Sequence, residues 1–434
     1  MTDALASVID WLDERRAASN LSVRRVALED CRSWSLDGGE LRHSSGRYFQ
    51  VVGARVSTGA YAGWCRPMIR QHEVGLLSFL VVERDGRAEW LVQAKTEPGN
   101  VGGTQLAPTV QATASNQERV HGGAATRFLD LFTGQAGGAR HRVRSDLLAS
   151  EQGTRFLGKR NRNMVVSIDP ADAPPGEDAW RWVGAAAIRQ LLARDFMVNA
   201  DARSVIAAGP WSLLADASDP FATRASSRGF RGRLRRSYES GADTVPVLQE
   251  LAARRAVAAP LVEELALAWE DGWLIEGCPE PMGDGLALFA VDVADREVSL
   301  WCQPLLTSRA TEGCDLHTQV RGGVLRALFR FIAEPGLRNL VELGPTVQTD
   351  RGVTHGAPPG DASAIRLNVL QSDEGSRFLD CVVRYRIIEI RSGDAVTPPD
   401  GVWLSLSEIE ALAAMSGVFS NEARSSISLL LSLA

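Results

Sequence analysis

A constant internal spacing constrains this chain more than any other feature. Trp64-Cys65-Arg66-Pro67-Met68 has a counterpart in Trp301-Cys302-Gln303-Pro304-Leu305, 237 residues further on (301 − 64). The same spacing lays Thr96–Gly99 (TEPG) on Ala333–Gly336 (AEPG), and Gln105–Gln111 (QLAPTVQ) on Glu342–Gln348 (ELGPTVQ). After a deletion the match resumes: Ser150–Ile168 faces Ser372–Ile390 at 222 (372 − 150), and Asp201–Ile206 faces Glu422–Ile427 at 221 (422 − 201). Two copies rather than an array indicate one duplicated domain and not a solenoid. Copy one is expected within residues 1–208, preceded by a leading helix, and copy two within 273–434, with 209–272 as a linker that contains a helix.

Each copy reads as strands followed by a helix. Arg47–Val56 and Gly75–Val82 are rich in Val, Leu and Phe, and Asp85-Gly86 marks a hairpin turn into Glu89–Ala94. Met164–Ile168 reads as a short buried strand, and Trp182–Arg194 as an amphipathic helix with Ile188, Leu191 and Leu192 on one face. In copy two, Thr307–Gly322 is polar and shows no clear strand pair before Val324. In the linker, Asp219–Gly241 reads as loop and Val245–Glu270 as helix interrupted at Pro260. The expected class is α+β with mostly antiparallel or mixed sheets, twice.

The bulk properties exclude several functions. A chain of 434 residues with 45% hydrophobic and 23% charged residues is an ordinary globular composition. A net charge of −6 argues against a general nucleic-acid binder. Six cysteines stand apart with no C-x-x-C pair, which fits a reducing cytoplasm. Asp3, Asp10 and Asp13 do not suit a secretory signal, and no apolar run is long enough for a membrane span. Neither G-x-G-x-x-G after a strand nor G-x-x-x-x-G-K-[ST] is present, and the histidines form no H-E-x-x-H. A nicotinamide or metal cofactor is therefore not expected.

The densest polar chemistry lies in Gln93–Gly123. Lys95 and Glu97 precede a Pro98-Gly99 turn, and glycines there let backbone approach a ligand. Alternation would set Gln105, Thr109 and Gln111 on one face of a strand, followed by Asn116, Arg119 and His121. A second run, Arg155–Asn163, carries Arg155, Lys159, Arg160 and Arg162. Guanidinium groups suit a diphosphate, although a solvated basic turn is equally compatible with such a run. Trp64 and Trp301 hold matched places, either as core or as stacking rings.

At QAKTEPGN, QLAPTVQAT, SNQERVHGG and GKRNRNMVV the chain resembles the NDP-hexose 2,3-dehydratases of deoxysugar biosynthesis, from about Trp34 to the C-terminus. The resemblance implies two Nudix-like domains without a Nudix box, a homodimer, and a dTDP-4-keto-6-deoxyhexose substrate. It also implies a partner 3-ketoreductase that consumes a labile product. The family usually reads Ser, Arg and Tyr where this chain has Ala107, Ala114 and Gln117.

The implied reaction dictates the groups it needs. The C4 ketone acidifies the C3 proton, a base removes it, and charge develops on O4. The C2 hydroxyl then departs with a proton, and the enol becomes a 3,4-diketo-2,6-dideoxy sugar. No electrons leave the substrate, so one base, one acid and one enolate stabiliser suffice. Glu97 is the expected base, Lys95 the enolate partner and His121 the acid, with Glu151, Glu342 and Glu374 as rival bases. Trp64, Gln105, Thr109, Gln111, Asn116 and Arg119 would hold the sugar and the nucleobase. Arg155, Lys159, Arg160, Arg162 and Asn163 would face the diphosphate. A second site in copy two would use Trp301, Glu334, Glu342, Thr346, Gln348, Glu374, Arg377 and Arg384. Only copy one is expected to be catalytic, because Lys95 becomes Ile332 in copy two. An inactive sugar-nucleotide-binding protein is the competing class. Nudix-type hydrolysis would need clustered metal-binding glutamates, which the sequence does not show.

Overall fold

The computed structural model describes residues 2–31, 33–113, 125–134, 140–215, 229–259, 262–270, 272–278, 286–292, 300–308, 310–350, 353–391 and 396–434. Copy one builds a sheet in the order His141–Ser150, Arg160–Ile168, Gly75–Arg84, Arg87–Lys95, Trp180–Gly184. Copy two repeats it as Ala362–Ser372, Val382–Ile390, Glu312–Arg321, Val324–Ile332, Gly401–Leu404. In each sheet these strands pair antiparallel except one parallel pair, Arg160–Ile168 with Gly75–Arg84 and Val382–Ile390 with Glu312–Arg321. Two helices follow in each copy, Ala185–Leu192 and Ala200–Ala208, then Leu406–Ala413 and Asn421–Leu431. The fold is mixed α+β.

The repeated PTVQ has a structural cause. Gln105–Ala107 pairs with Arg87–Lys95, whereas Val110–Ala112 pairs with the neighbouring strand Gly75–Arg84. The chain crosses between them at Pro108-Thr109 and wedges that hairpin apart. The Thr109 hydroxyl restores the broken ladder: it donates to the Leu91 carbonyl and accepts from the Leu80 amide at 2.9 Å. Thr346 does the same between Leu328 O and His317 N. A buried backbone group must find a partner, so the threonine is retained in both copies.

Several local expectations are corrected. Glu312–Arg321 is a strand despite its polarity, because its buried polar side chains find partners such as Arg386 for Asp315 and the Arg391 carbonyl for Gln319. Trp180–Gly184 is a strand, and the helix begins only at Ala185; the aromatic rings fit a pleated surface better than a helix. Gly229–Tyr238 is helical rather than loop. The helix Val245–Val257 stops before Pro260, and Val262–Leu265 and Leu267–Glu270 are strands. Arg160–Ile168 is strand throughout, so Arg160 and Arg162 belong to a sheet and not to a turn. Helix Val245–Val257 also docks on copy two as helix Thr2–Ala17 docks on copy one. Arg255 donates to Val341 O at 2.9 Å, and Arg16 to Thr104 O at 3.1 Å, carbonyls that are equivalent at the 237 spacing.

The copies are interlocked. Helices Ala200–Ala208 and Asn421–Leu431 pack into one core containing Phe79, Val165, Leu316 and Ile387. Buried Arg203 donates to the Ser372 carbonyl at 3.0 Å, and buried Arg424 reciprocally to Ser150 O at 2.5 Å. Strand Ser22–Arg25 pairs with Leu286–Asp292 of copy two, while Val262–Leu265 pairs with Gln50–Val56 of copy one. Cysteines that look scattered in sequence meet here: Cys31 bonds Cys302 and Cys65 bonds Cys278, whereas Cys314 and Cys381 are free and buried. Separations of 271 and 213 residues hid these pairs from any motif.

The EPG turns close the interface. Gly99 N donates to Gly375 O at 2.8 Å, and Gly336 N to Gly153 O at 2.7 Å. A Cβ on Gly99 would fall 1.6 Å from Phe378 O, and one on Gly336 1.7 Å from Phe156 O. Gly99→Ala and Gly336→Ala are each expected to cost about 2–3 kcal/mol, the upper range of an overpacked contact. Denaturant midpoints measure it, with Gly313→Ala as control because its methyl meets nothing closer than 3.9 Å. Equal midpoints for all three variants would show that the turns do not hold the copies together.

Candidate active site

Strand Arg87–Lys95 runs into the Thr96–Gly99 turn and delivers Lys95 and Glu97 to one buried place. Lys95 Nζ stands 3.9 Å from Glu97 Oε1, as the alternation predicts. Gln111 Nε2 donates to the same oxygen at 3.0 Å. Gln111 Oε1 accepts from Asn199 Nδ2 at 3.0 Å, and Asn199 caps helix Ala200–Ala208. Asp201, in the first turn of that helix, is buried with these groups. Burial pushes its carboxyl well above the usual range, with Glu374, Glu151 and Glu97 adding and Lys95 opposing.

Glu151 completes the cluster. It accepts from Asn161 Nδ2 at 2.6 Å and, across the interface, from Asn421 Nδ2 at 2.9 Å. Burial, helped by the Glu374 carboxylate, pushes it up to about 7. Lys159 is held at the Glu73 carbonyl at 2.5 Å, and burial lowers its ammonium. The arrangement gathers carboxyl groups, two of them with raised proton affinity, beside a cation. That is what proton abstraction followed by assisted loss of a hydroxyl requires.

Other expected site residues stand elsewhere. Arg162 lies on the sheet face opposite Asn161, exposed and bidentate to Asp146 at 2.7 and 2.6 Å. Arg160 shares its face by alternation, and Arg384 is exposed. Asn163 bonds Ser204 at 2.6 Å inside the interface. Gln105 bonds Ser372 at 2.9 Å, and Glu342 accepts from Ser150 at 2.6 Å; both join the copies. Thr109 and Thr346 serve the backbone wedge. Glu374 and Arg377, assigned to a second site, act on Glu151 and Lys159 of copy one. Trp64 packs on Tyr61 at 5.3 Å, and it is Tyr61 that reaches copy two, packing on His355 at 4.2 Å. Trp301 is linked through Gln303 to the Ser376 carbonyl. Asn116, Arg119, His121, Ala114 and Gln117 lie outside the described residues. Asp201, Asn199, Asn161 and Asn421 were missed. The one signal for them is the acid of DARSVI and EARSSI, kept in the first turn of a repeated helix.

The equivalent place in copy two is built differently. Gln348 Nε2 donates to Glu334 Oε1 at 2.9 Å, and the Tyr61 phenol bonds Glu334. Arg155 is turned toward copy two rather than toward the copy-one cluster. Its fully buried guanidinium crosses the interface to Glu312, to Asp373 at 2.5 Å and to Asp350 at 3.9 Å. About 10 Å³ of free space remains beside it, hardly room for one water. Among the described residues no cluster has the geometry for a metal ion, and no helix is long and apolar enough to cross a membrane.

A duplicated α+β fold with buried acids beside a lysine holds the kinds of group that acid–base chemistry uses. The sequence model of the NDP-hexose 2,3-dehydratase family matches residues 5–208 and 245–430, and the chain belongs to that family of lyases. It is 34% identical over 450 residues to a dTDP-4-dehydro-6-deoxy-alpha-D-glucopyranose 2,3-dehydratase of Saccharopolyspora spinosa, covering 98% of this chain and 90% of the relative. Proteins of the same name from Streptomyces violaceoruber and Amycolatopsis orientalis are 33% and 32% identical, covering 95% of this chain and 94% and 87% of theirs.

Proposed function

We propose that the chain removes the C2 hydroxyl of a dTDP-4-keto-6-deoxyhexose at the copy-one cluster. The buried Lys95–Glu97 pair carries this reading, because it sets a base and an enolate-stabilising cation 3.9 Å apart. Glu97 takes the C3 proton while Lys95 faces the charge that grows on O4. Asp201 and Glu151, both pushed up by burial, hold the proton that the departing hydroxyl takes; His121 stays a further candidate for that role. Lys159 and Arg377 are the cations placed beside the cluster for a diphosphate. Copy two lacks the lysine and spends Arg155 on its own acids, which favours one catalytic site per chain and makes Glu334 and Gln348 structural. Each copy is read as a Nudix-like unit, and the whole as a homodimer supplying its labile product to a 3-ketoreductase.

Incubation with dTDP-4-keto-6-deoxyglucose in deuterated water, followed by NMR, tests this. Loss of the C3 proton signal and formation of diketo product are expected with neither nicotinamide nor metal added and with a chelator present. Turnover that starts only on adding either one would overturn the cofactor-free reading, and binding without exchange would favour an inactive binding protein.

A further inference from the structure

Building on the reading of Glu97 as base, we propose that Asn199 is a positioning residue that dictates which end of the Gln111 amide faces Glu97. A side-chain amide has an oxygen that only accepts and a nitrogen that only donates. At the start of helix Ala200–Ala208, the Ala202 amide donates to Asn199 Oδ1 at 2.8 Å. A backbone N–H cannot accept, so Asn199 must turn its oxygen to the helix and its NH2 outward. That NH2 donates to Gln111 Oε1 at 3.0 Å, which leaves Gln111 Nε2 to donate to Glu97 Oε1 at 3.0 Å. Polarity is thus relayed from a helix cap to the carboxylate, and Glu97 always meets a donor.

Copy two shows the arrangement without the relay. Its cap is Ser420, whose hydroxyl accepts from Ala423 N at 3.2 Å and has no second polar atom to pass on. Gln348 still donates to Glu334, but its Oε1 has no partner among the described residues. There only Glu334 itself orients the amide, whereas in copy one Asn199 adds a second constraint. The difference falls between the copy that keeps Lys95 and the copy that has Ile332.

Replacing Asn199 by the residue of copy two separates the relay from the cap. Asn199→Ser keeps an N-cap hydroxyl, so the helix start is preserved, and removes the donor to Gln111. A hydrogen bond to the charged form of an acid favours that form; without it the acid limb of the kcat–pH profile moves to higher pH. We expect kcat to fall about tenfold, the scale of one hydrogen bond to a charged group, with KM within about twofold. Asn199→Asp keeps the cap and has no donor at all. It should reverse the Gln111 amide, place an oxygen against Glu97 and move both quantities further in the same direction. Unchanged kcat and pH profile in both variants would overturn the relay, as would a fall in kcat with an unmoved acid limb and a lowered Tm. If Glu97→Gln itself retains C3 exchange, the reading beneath the relay fails instead, whatever the Asn199 variants do.

Discussion

Glu97→Gln is expected to lose roughly 10²–10⁴-fold in C3 proton exchange, the usual contribution of a positioned general base. The substitution is nearly isosteric, so the buried neighbourhood of Lys95, Gln111 and Asn199 should remain filled, and nucleotide-sugar affinity should stay within about tenfold. Exchange of the C3 proton for deuterium reads the base directly, because it needs no later step of the reaction. Calorimetry on the same variant reads binding. Exchange at the wild-type rate would move the base to Glu151 or into copy two.

Arg155→Ala should be the most damaging single change to the fold. It removes the guanidinium that lies among Glu312, Asp373 and Asp350 and takes the counter-charge from these buried carboxylates. Breaking a buried ion pair from one side typically costs about 3–5 kcal/mol, and more than one acid is stranded here. The pH dependence has a definite sign. Burial pushes the neighbouring Glu422 carboxyl up to about 7 while Arg155 opposes that rise, so in the variant Glu422 takes up its proton more readily in the folded state than in the unfolded chain. The deficit relative to wild type is therefore complete at alkaline pH and shrinks as pH falls toward 5. Denaturation midpoints of both proteins from pH 8 to pH 5 measure it. A constant gap, or one that widens on acidification, would mean that Arg155 does not compensate these carboxylates. Arg377 is the control for position: its equivalent guanidinium is only half-buried, over the Phe49 ring at 4.3 Å.

Much of the chemistry was readable in the residue string. Lys95 and Glu97 are two positions apart, so strand periodicity alone set them on one side. The family motifs are long runs that survive as text. Glu151 stood among the rivals only because it is acidic; nothing local said that Asn161 and Asn421 would hold it, 10 and 270 residues away. Asp201 was hidden by its own regularity, since an acid in the first turn of a helix is ordinary and its burial is not a local property.

The basic run shows where a linear reading stops. Arg155, Lys159, Arg160 and Arg162 lie within eight residues of sequence, yet they are sent to different places. Arg155 goes into copy two, Lys159 beside Glu151, and Arg160 and Arg162 to the outer face. Strand alternation separates Arg160 and Arg162 from Asn161, but the turn before the strand decides where Arg155 and Lys159 reach, and that turn is shaped by the Gly336 carbonyl of the other copy, which accepts from Gly158 N at 2.8 Å.

The sequence by itself determined that the chain is one unit written twice, which family it resembles and that Lys95 and Glu97 share one side of a strand end. Those properties live in local text: a repeat is a spacing, a hairpin is an Asp-Gly, and a strand pair is an alternation. Only the tertiary structure decided that the repeated glycines are contacts between the copies, that Tyr61 and Arg155 reach into the copy they do not belong to, and that distant cysteines meet. The physical reason is exchange about the interface. Strands, arginines and turns of each half find their hydrogen-bond and charge partners in the other half, 157 residues away for Arg155 and 274 for Arg424, where no local pattern can record them.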